Sequence, residues 1–286
     1  MELLRFADVA GFMGAAEAFL AAREAEHNLM LGLCAQLRAG RHSYATPFYL
    51  AVVARAGAPL AAALRTPPHD LILSRVDDLA ALPLLVDDLS ATYPQGLSGV
   101  LGPREEAGAL AAQWAARHGL VPRRAMAERV HSLESVSPPR GVPGAPRPAV
   151  EGDRALLIAW TLAFHVDALQ PIEEERAADL VASGLPEGPV RGIRVWEDEG
   201  RPVSMATWTG PTPTGVRIGG VYTPPERRGR GYASACVAAL SQELLDRGRR
   251  RVFLFTDLKN PVSNRIYARI GYRPAGDVDR WRFERA

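Results

Sequence analysis

Near its middle the chain carries a run that can be neither helix nor interior strand. Ser137–Pro148 holds Pro138, Pro139, Pro143, Pro146 and Pro148, with Gly141 and Gly144 between them. Each proline fixes its own φ and removes a backbone donor, so the run reads as a linker, or as a linker running into an edge strand. It divides 286 residues almost equally. With 47% of residues hydrophobic and 23% charged, each half has material for a core of its own. The expected organisation is a first domain over 1–137, a linker over 138–148 and a second domain over 149–286.

The second half alternates between two periods. Arg154–Leu169, with Leu157, Trp160, Leu162, Phe164 and Val166, predicts a helix, and Glu173–Ala182, acidic at its start, predicts another. Val190–Glu197 and Pro202–Trp208 read as a hairpin turning at Glu199-Gly200, and Gly215–Thr223 as a third strand. Tyr232–Asp246 has an apolar face of Ala233, Cys236, Val237, Leu240 and Leu244 and reads as a helix. A buried strand at Arg251–Thr256, a helix from Pro261 to Ile270 closed by Gly271, and a last strand near Trp281–Glu284 complete the half.

The first half opens with a long helix expected over Gly11–Leu37. A hairpin follows, in which Val52–Leu60 can be laid over Val195–Val203. Then come a strand at Leu71–Ser74, a helix from Asp77 to about Ala91, a strand near Val100-Leu101 and a helix from Pro103 to His118 closed by Gly119. The order of elements repeats that of the second half, a pattern that a divergent duplication leaves and that any two α/β segments can also share.

The chemistry concentrates between the third strand of the second half and the helix after it, in Val221-Tyr222-Thr223-Pro224-Pro225-Glu226-Arg227-Arg228-Gly229-Arg230-Gly231-Tyr232-Ala233-Ser234. Gly229 and Gly231 allow a tight turn that brings successive N–H groups to one point, and the helix start adds its unpaired amides and positive dipole end. Ringed by arginines, this suits a pyrophosphate. No Gly-Lys-Ser/Thr of a P-loop is present. The dinucleotide fingerprint fails too, because Ser234 stands where its third glycine belongs and Pro224-Pro225-Glu226 separates turn from strand.

Arg228-x-x-Gly231-x-Ala233 resembles the R/Q-x-x-G-x-G/A signature of the GNAT superfamily of acetyl-coenzyme-A-dependent N-acetyltransferases. Downstream, Leu254–Tyr272 looks like that family's strand-loop-helix ending in N-x-x-[SA]-x-x-x-Y-x-x-x-G-[FY]. Asn260 before Pro261 is a good helix cap, and Ser263, Asn264 and Tyr267 share one face of the helix. The resemblance covers roughly Pro146 to Ala286. It implies an α/β (α+β) fold with a mixed, mostly antiparallel central sheet flanked by helices, in two tandem GNAT-like domains.

The resemblance also implies roles for particular residues. Val221 and Thr223 would meet the pantetheine arm through their backbone, on a strand that splays from its neighbour. Arg228, Gly229, Arg230, Gly231, Tyr232 and Ala233 fall around the pyrophosphate. Asn260 and Asn264 belong to the cofactor-binding set, and Tyr267 is the general acid. Acetyl-coenzyme A is the expected cosubstrate, with no metal, and a small-molecule or peptide amine is the acceptor. The first half has no such turn: Leu73–Asp78 lacks glycine and ends in two acids, so a GNAT copy there would have lost its cofactor site.

The family often strips the amine proton with a carboxylate on the strand before the turn, yet Gly215–Gly220 carries no acid. Glu226 is available, but in the turn it is expected to satisfy the neighbouring arginines instead. His165 and Asp167 are candidates for the acceptor side, although a solvated helix face explains them equally. Trp208 is another, although aromatic core packing accounts better for Trp208, Trp160 and Phe164. Two other classes remain open. Arg227-Arg228-x-Arg230 and Arg247-x-Arg249-Arg250-Arg251 form a basic patch for nucleic acid, against which stands a net charge of only +2, and the fold could bind coenzyme A as a regulator without catalysis.

Two distant cysteines, Cys34 and Cys236, and scattered histidines argue against a disulfide framework or zinc site. Glu2, Arg5 and Asp8 do not resemble the basic start of a signal peptide, and no apolar run reaches membrane-spanning length. A soluble, cytoplasmic protein free of nucleic-acid and membrane partners is expected.

Overall fold

The computed structural model describes residues 1–40, 47–168 and 170–285. The first half runs β1 (Glu2–Arg5), α1 (Val9–Ala21), α2 (Glu24–Arg38), β2 (Tyr49–Arg55), β3 (Ala58–Arg65), β4 (Leu71–Leu73), α3 (Leu82–Thr92), β5 (Gly99–Pro103), α4 (Arg104–His118) and β6 (Leu120–Leu133). The second half repeats that order as β7 (Ala145–Pro148), α5 (Arg154–Asp167), α6 (Glu174–Ala182), β8 (Arg191–Asp198), β9 (Arg201–Thr209), β10 (Gly215–Tyr222), α7 (Tyr232–Asp246), β11 (Arg251–Asp257), α8 (Pro261–Ile270) and β12 (Arg273–Arg285). Among the described residues these strands form one twelve-stranded, mostly antiparallel sheet flanked by helices. The expected end of the first helix of the second half, Leu169, lies outside the described residues, as does Ala286.

Alternation along the strands sets the layers. In the first half, Tyr49, Ala51, Val53, Ala61 and Ala63 pack with α3 and α4, while Leu50, Val52, Ala62 and Leu64 pack with α1 and α2. In the second half, Trp208, Val216, Ile218, Val252 and Leu254 meet α7, and Ile193, Val195 and Met205 meet α5 and α6.

The two hairpins share more than their order. Both turn through a pair of positive-φ residues, Ala56-Gly57 at 48° and 79° and Glu199-Gly200 at 50° and 72°, the geometry of a tight antiparallel hairpin. Both are bulged at the matching place, between Val53 and Ala54 and between Trp196 and Glu197, after which Ala54 faces Pro59 and Glu197 faces Pro202. A bulge at an equivalent position is a device that two unrelated hairpins have no reason to share.

The sheet order is β1-β2-β3-β4-β5-β12-β6-β11-β10-β9-β8-β7. It is symmetric about the β12–β6 pair, and there the halves exchange strands. β6 leaves the first half to lie beside β11 of the second, and β12 leaves the second to lie beside β5 of the first. β6 and β12 pair with one another along Leu120–Ser132 and Arg273–Arg285. The linker ends as the second expectation had it, in edge strand β7 paired with β8.

Three expectations are corrected. The single helix over Gly11–Leu37 is two, broken at Ala22-Arg23, where Arg23 is held by Asp77 at 2.8 Å. Glu24 then turns into the second half, accepting from the Thr212 hydroxyl at 2.6 Å, from the Thr214 amide at 2.7 Å and from the Thr214 hydroxyl. The last strand begins at Arg273, well before Trp281. The fourteen-residue β6 had no counterpart in the sequence reading. No helix among the described residues is long and apolar enough to cross a membrane.

Candidate active site

β10 is the strand on which the site is built. It pairs with β9 on one side, but with parallel β11 only at its start, through Gly215, Val216 and Arg217 opposite Arg251, Val252 and Phe253. Beyond Arg217 the two strands part, while β11 continues beside β6 as far as Asp257 opposite Glu128. A bulge between Gly219 and Tyr222, with Gly220 at φ +55°, bends β10 further. A wedge opens between Ile218–Thr223 and Leu254–Asp257, and backbone groups of β10 on that side have no ladder partner. A Cβ added at Gly219 would meet nothing within 4 Å, so the face of β10 is uncovered there.

At its wide end the chain passes through one 3-10 turn at Pro225–Arg227 and then Gly229 and Gly231, at φ +80° and +85°. Gly231 is the N-cap of α7 and offers no side chain to cap it, so the first amides of the helix have no side-chain cap among the described residues. Crowding adds to the demand for glycine: a Cβ at Gly231 would lie 2.9 Å from Val142.

Arg228 spans the turn. Its Nε donates to the Thr223 carbonyl at 2.9 Å, and a terminal nitrogen donates to Asp167 at 2.6 Å. The Asp167 carboxylate takes one terminal guanidinium donor that a phosphate oxygen could use. Thr223 is itself fixed by a 2.9 Å hydroxyl contact with Ser204. Val221 packs half-buried against the α7 core, and Ala233 is half-buried. Tyr232 differs from expectation. Its ring is buried and its hydroxyl donates to Asp198 at 2.5 Å, so only its amide faces the turn. Glu226 is exposed and makes no ion pair among the described residues, correcting the reading that it satisfies the arginines.

On the other wall, Asn260 caps α8, accepting from the Ser263 amide at 3.1 Å. Asn264 knots the corner between β11 and α8. It donates to the Asn260 and Asp257 carbonyls at 2.8 and 3.1 Å and accepts from the Thr256 hydroxyl at 2.6 Å. Its amide is thereby spent on the protein. One turn further, Tyr267 lies half-buried against the core, its ring edge-on to Tyr272 with centroids 5.9 Å apart. Tyr272 bonds Ser241 at 2.8 Å, whereas the Tyr267 hydroxyl makes no hydrogen bond among the described residues. Burial pushes its pKa up to about 12, so the phenol keeps its proton at neutral pH.

The acceptor-side candidates separate. His165 is half-buried, its Nδ1 3.2 Å from the Gln170 carbonyl, and burial lowers its pKa toward the neutral ring. Trp208 is 5% exposed and stands in the core, so close to Gly192 that a Cβ there would come within 2.5 Å of its Nε1; it lines no surface. Trp160 is packed against Tyr222 in the same manner. Of the basic patch, three arginines are neutralised by ion pairs, Arg228 on Asp167, Arg247 on Glu187 and Glu243, and Arg251 on Glu134. Cys34 and Cys236 are buried, free thiols raised to about 12 by desolvation. One carboxylate not singled out from the sequence, Glu128 of β6, lies opposite Asp257 of β11, one strand away from the wedge.

The corresponding wedge of the first half is closed. β4 and β5 pair at Leu71–Val100 and Ile72–Leu101 and then part, but α2 places Glu26, His27 and Met30 over the gap. His27 accepts from the Arg75 amide at 2.9 Å through Nε2, and its Nδ1 lies 2.9 Å from the Leu20 carbonyl. Arg75 is taken by Glu26 and Glu106, and Asp78 by Arg55.

Residues 196–282 match the FR47-like protein family. No curated protein sequence matches the chain. Among solved structures, a Drosophila protein superposes with a TM-score of 0.67 at 14% identity, over 99% of this chain and 98% of that one. A GCN5-related N-acetyltransferase from Sphaerobacter thermophilus gives 0.64 at 19% identity, over 99% and 96%. A tandem GNAT protein from the clavulanic acid biosynthesis pathway gives 0.58 at 15% identity, over 99% and 97%. The fold is that of the tandem GNAT proteins.

Proposed function

Given an FR47-like, GNAT-related domain over residues 196–282, set within a tandem GNAT fold, we propose that the protein is an N-acetyltransferase carrying acetyl from acetyl-coenzyme A to a primary amine. The observation that carries the reading is the parting of β10 from β11 just ahead of an uncapped helix start with two left-handed glycines. Those features fit the cosubstrate. The amides from Gly229 to Ala233 take the pyrophosphate, flanked by Arg228 and Arg230. The backbone of Val221 and Thr223, on the part of β10 that has left β11, takes the pantetheine arm. Asn260 faces the same wedge from α8, and Asn264 holds that wall in position.

When bound, the thioester supplies an activated acetyl group. The amides of the splayed strand polarise its carbonyl. Tyr267 holds its proton at the phenolic oxygen and gives it to the departing sulfur. Against an ordinary thiol near 8.5, transfer from a phenol at about 12 is uphill by about 5 kcal/mol. The same dry surroundings raise the thiol's own pKa and shrink that gap. The first half, its wedge filled by α2, holds no cosubstrate in this reading and serves as the frame of the site.

Isothermal titration with coenzyme A tests the turn. Affinity in the nanomolar to micromolar range at one equivalent per chain is expected, and Gly231→Val should lower it at least 30-fold. Gly231→Ala, which adds less bulk, should fall between, with both melting temperatures recorded because φ +85° strains any L-residue. Unchanged affinity in Gly231→Val, or a stoichiometry near two, would overturn the assignment.

Asp167 supplies a second check. Its pair with Arg228 is about half-exposed on both sides and contributes no more than about 1 kcal/mol. Freed from it, Arg228 is available to phosphate without first releasing a carboxylate. Asp167→Asn is therefore expected to tighten coenzyme A about three- to fivefold, most visibly at low salt. Weaker binding would instead make Asp167 a support of the turn.

A further inference from the structure

We propose that Glu128, on the strand that the first half lends to the second half's sheet, accepts the proton shed by the acceptor amine. The inference rests on the acetyltransferase reading and fills the role that β10, without an acid, leaves open.

Register places the carboxylate. Glu128 is opposite Asp257 on β11 and Val278 on β12, and Val130, two residues on, packs with Leu29 of α2 and with Phe255. Side chains two apart, and those directly opposite, share a face, so Glu128, Phe255 and Asp257 lie together on the α2 side of the sheet. Tyr267 belongs to the α7–α8 side. The wedge between β10 and β11 thus has a phenol on one face of the sheet, and on the other face, one strand beyond β11, the Glu128 carboxylate.

The charged groups facing Glu128 are Asp257 from β11, Arg280 from β12 and Arg217 from β10. Arg280 is already engaged, donating to Gln170 at 2.7 Å with Asp70 3.7 Å away. The Arg217 guanidinium lies 5.9 Å over the Phe255 ring. No ion pair or hydrogen bond holds the Glu128 carboxylate among the described residues. Burial and the Asp257 charge raise its pKa, the direction that makes a carboxylate a better base.

The proton balance is complete. As the C–N bond forms and the C–S bond breaks, the ammonium nitrogen sheds two protons. Glu128 takes one, directly or through a bound water, and passes it to solvent. The other replaces the proton that Tyr267 gives to sulfur.

The test uses the full chain and acetyl-coenzyme A with benzylamine, spermidine and a peptide bearing one free lysine, following thiol release. Glu128→Gln is expected to lower kcat/KM at least 100-fold at pH 7 for whichever amine is used. The deficit should shrink as pH approaches the amine's own pKa, and Glu128→Asp should restore part of the rate. Melting temperature and coenzyme A affinity should match the parent. Independently, a carbon-13 NMR titration of labelled glutamates, assigned with the Gln variant, should show Glu128 titrating above an ordinary glutamate. A Gln variant at the parent rate, or one whose deficit is independent of pH, overturns the proposal. A parent protein that binds coenzyme A yet acetylates none of the three amines removes the acetyltransferase reading itself. That outcome differs from failure of Glu128 alone, in which the parent is active and the variant equally so.

Discussion

Residues 138–286 produced alone will not give a stable monomer. The fragment matches the second half by sequence, yet its β12 has both neighbours, β5 and β6, in the first half. Its β11 would lose the six residue pairs with β6 from Val252–Leu133 to Asp257–Glu128 and become an open edge. Against a typical stability of about 5–15 kcal/mol, removing both strand partners leaves nothing to spare. Size-exclusion chromatography should show aggregates or strand-exchanged dimers, and circular dichroism a broad, weak melt. Producing 1–137 together with the fragment should restore a one-to-one complex that binds coenzyme A. A fragment that is monomeric, melts cooperatively and binds coenzyme A by itself would show that the exchanged strands are dispensable.

Tyr267→Phe should lower kcat by about 10²-fold or more while leaving coenzyme A affinity within about twofold. The ring and its edge contact with Tyr272 remain, and the hydroxyl that is lost has no partner to orphan among the described residues. The melting temperature should therefore hold or rise slightly. A core tyrosine would give the reverse, with lower stability and normal turnover. Steady-state thiol release with an active amine, beside a thermal melt, separates the two outcomes.

The second half was largely legible because its local signals agree with its tertiary role. Tyr232–Asp246 and Pro261–Ile270 are helices to the residue, with Gly231 and Gly271 in the left-handed conformations that end them. The Arg/Gly turn announced itself because glycine positions and a helix start are local facts. β6 was missed because it does not alternate between apolar and polar. Its Arg123, Arg124 and Arg129 pair across the sheet with Glu284, Asp279 and Asp277 of β12, so charge takes the place of apolar patterning in mid-sheet. The same pairs hid the first eight residues of β12. The break between α1 and α2 has no glycine or proline; distant Asp77, Thr212 and Thr214 determine it. Glu128 was invisible for a related reason. It lies in the other half of the chain from the turn it accompanies, and only the strand exchange brings the two together.

That exchange also sets an order of events during synthesis. A ribosome makes β1 to β5 long before β12, so the first half emerges with β5 as an unsatisfied edge and must wait for nearly the whole remaining chain. β6 waits as well, until β11 arrives about 120 residues later. Contacts between such distant segments slow folding, because loop closure must precede any reward from pairing. The nascent chain therefore carries two exposed strands through most of its translation, a period in which a second nascent copy can supply the missing edge. High expression should favour dimers joined by their terminal strands, and slower translation or lower temperature should favour the monomer.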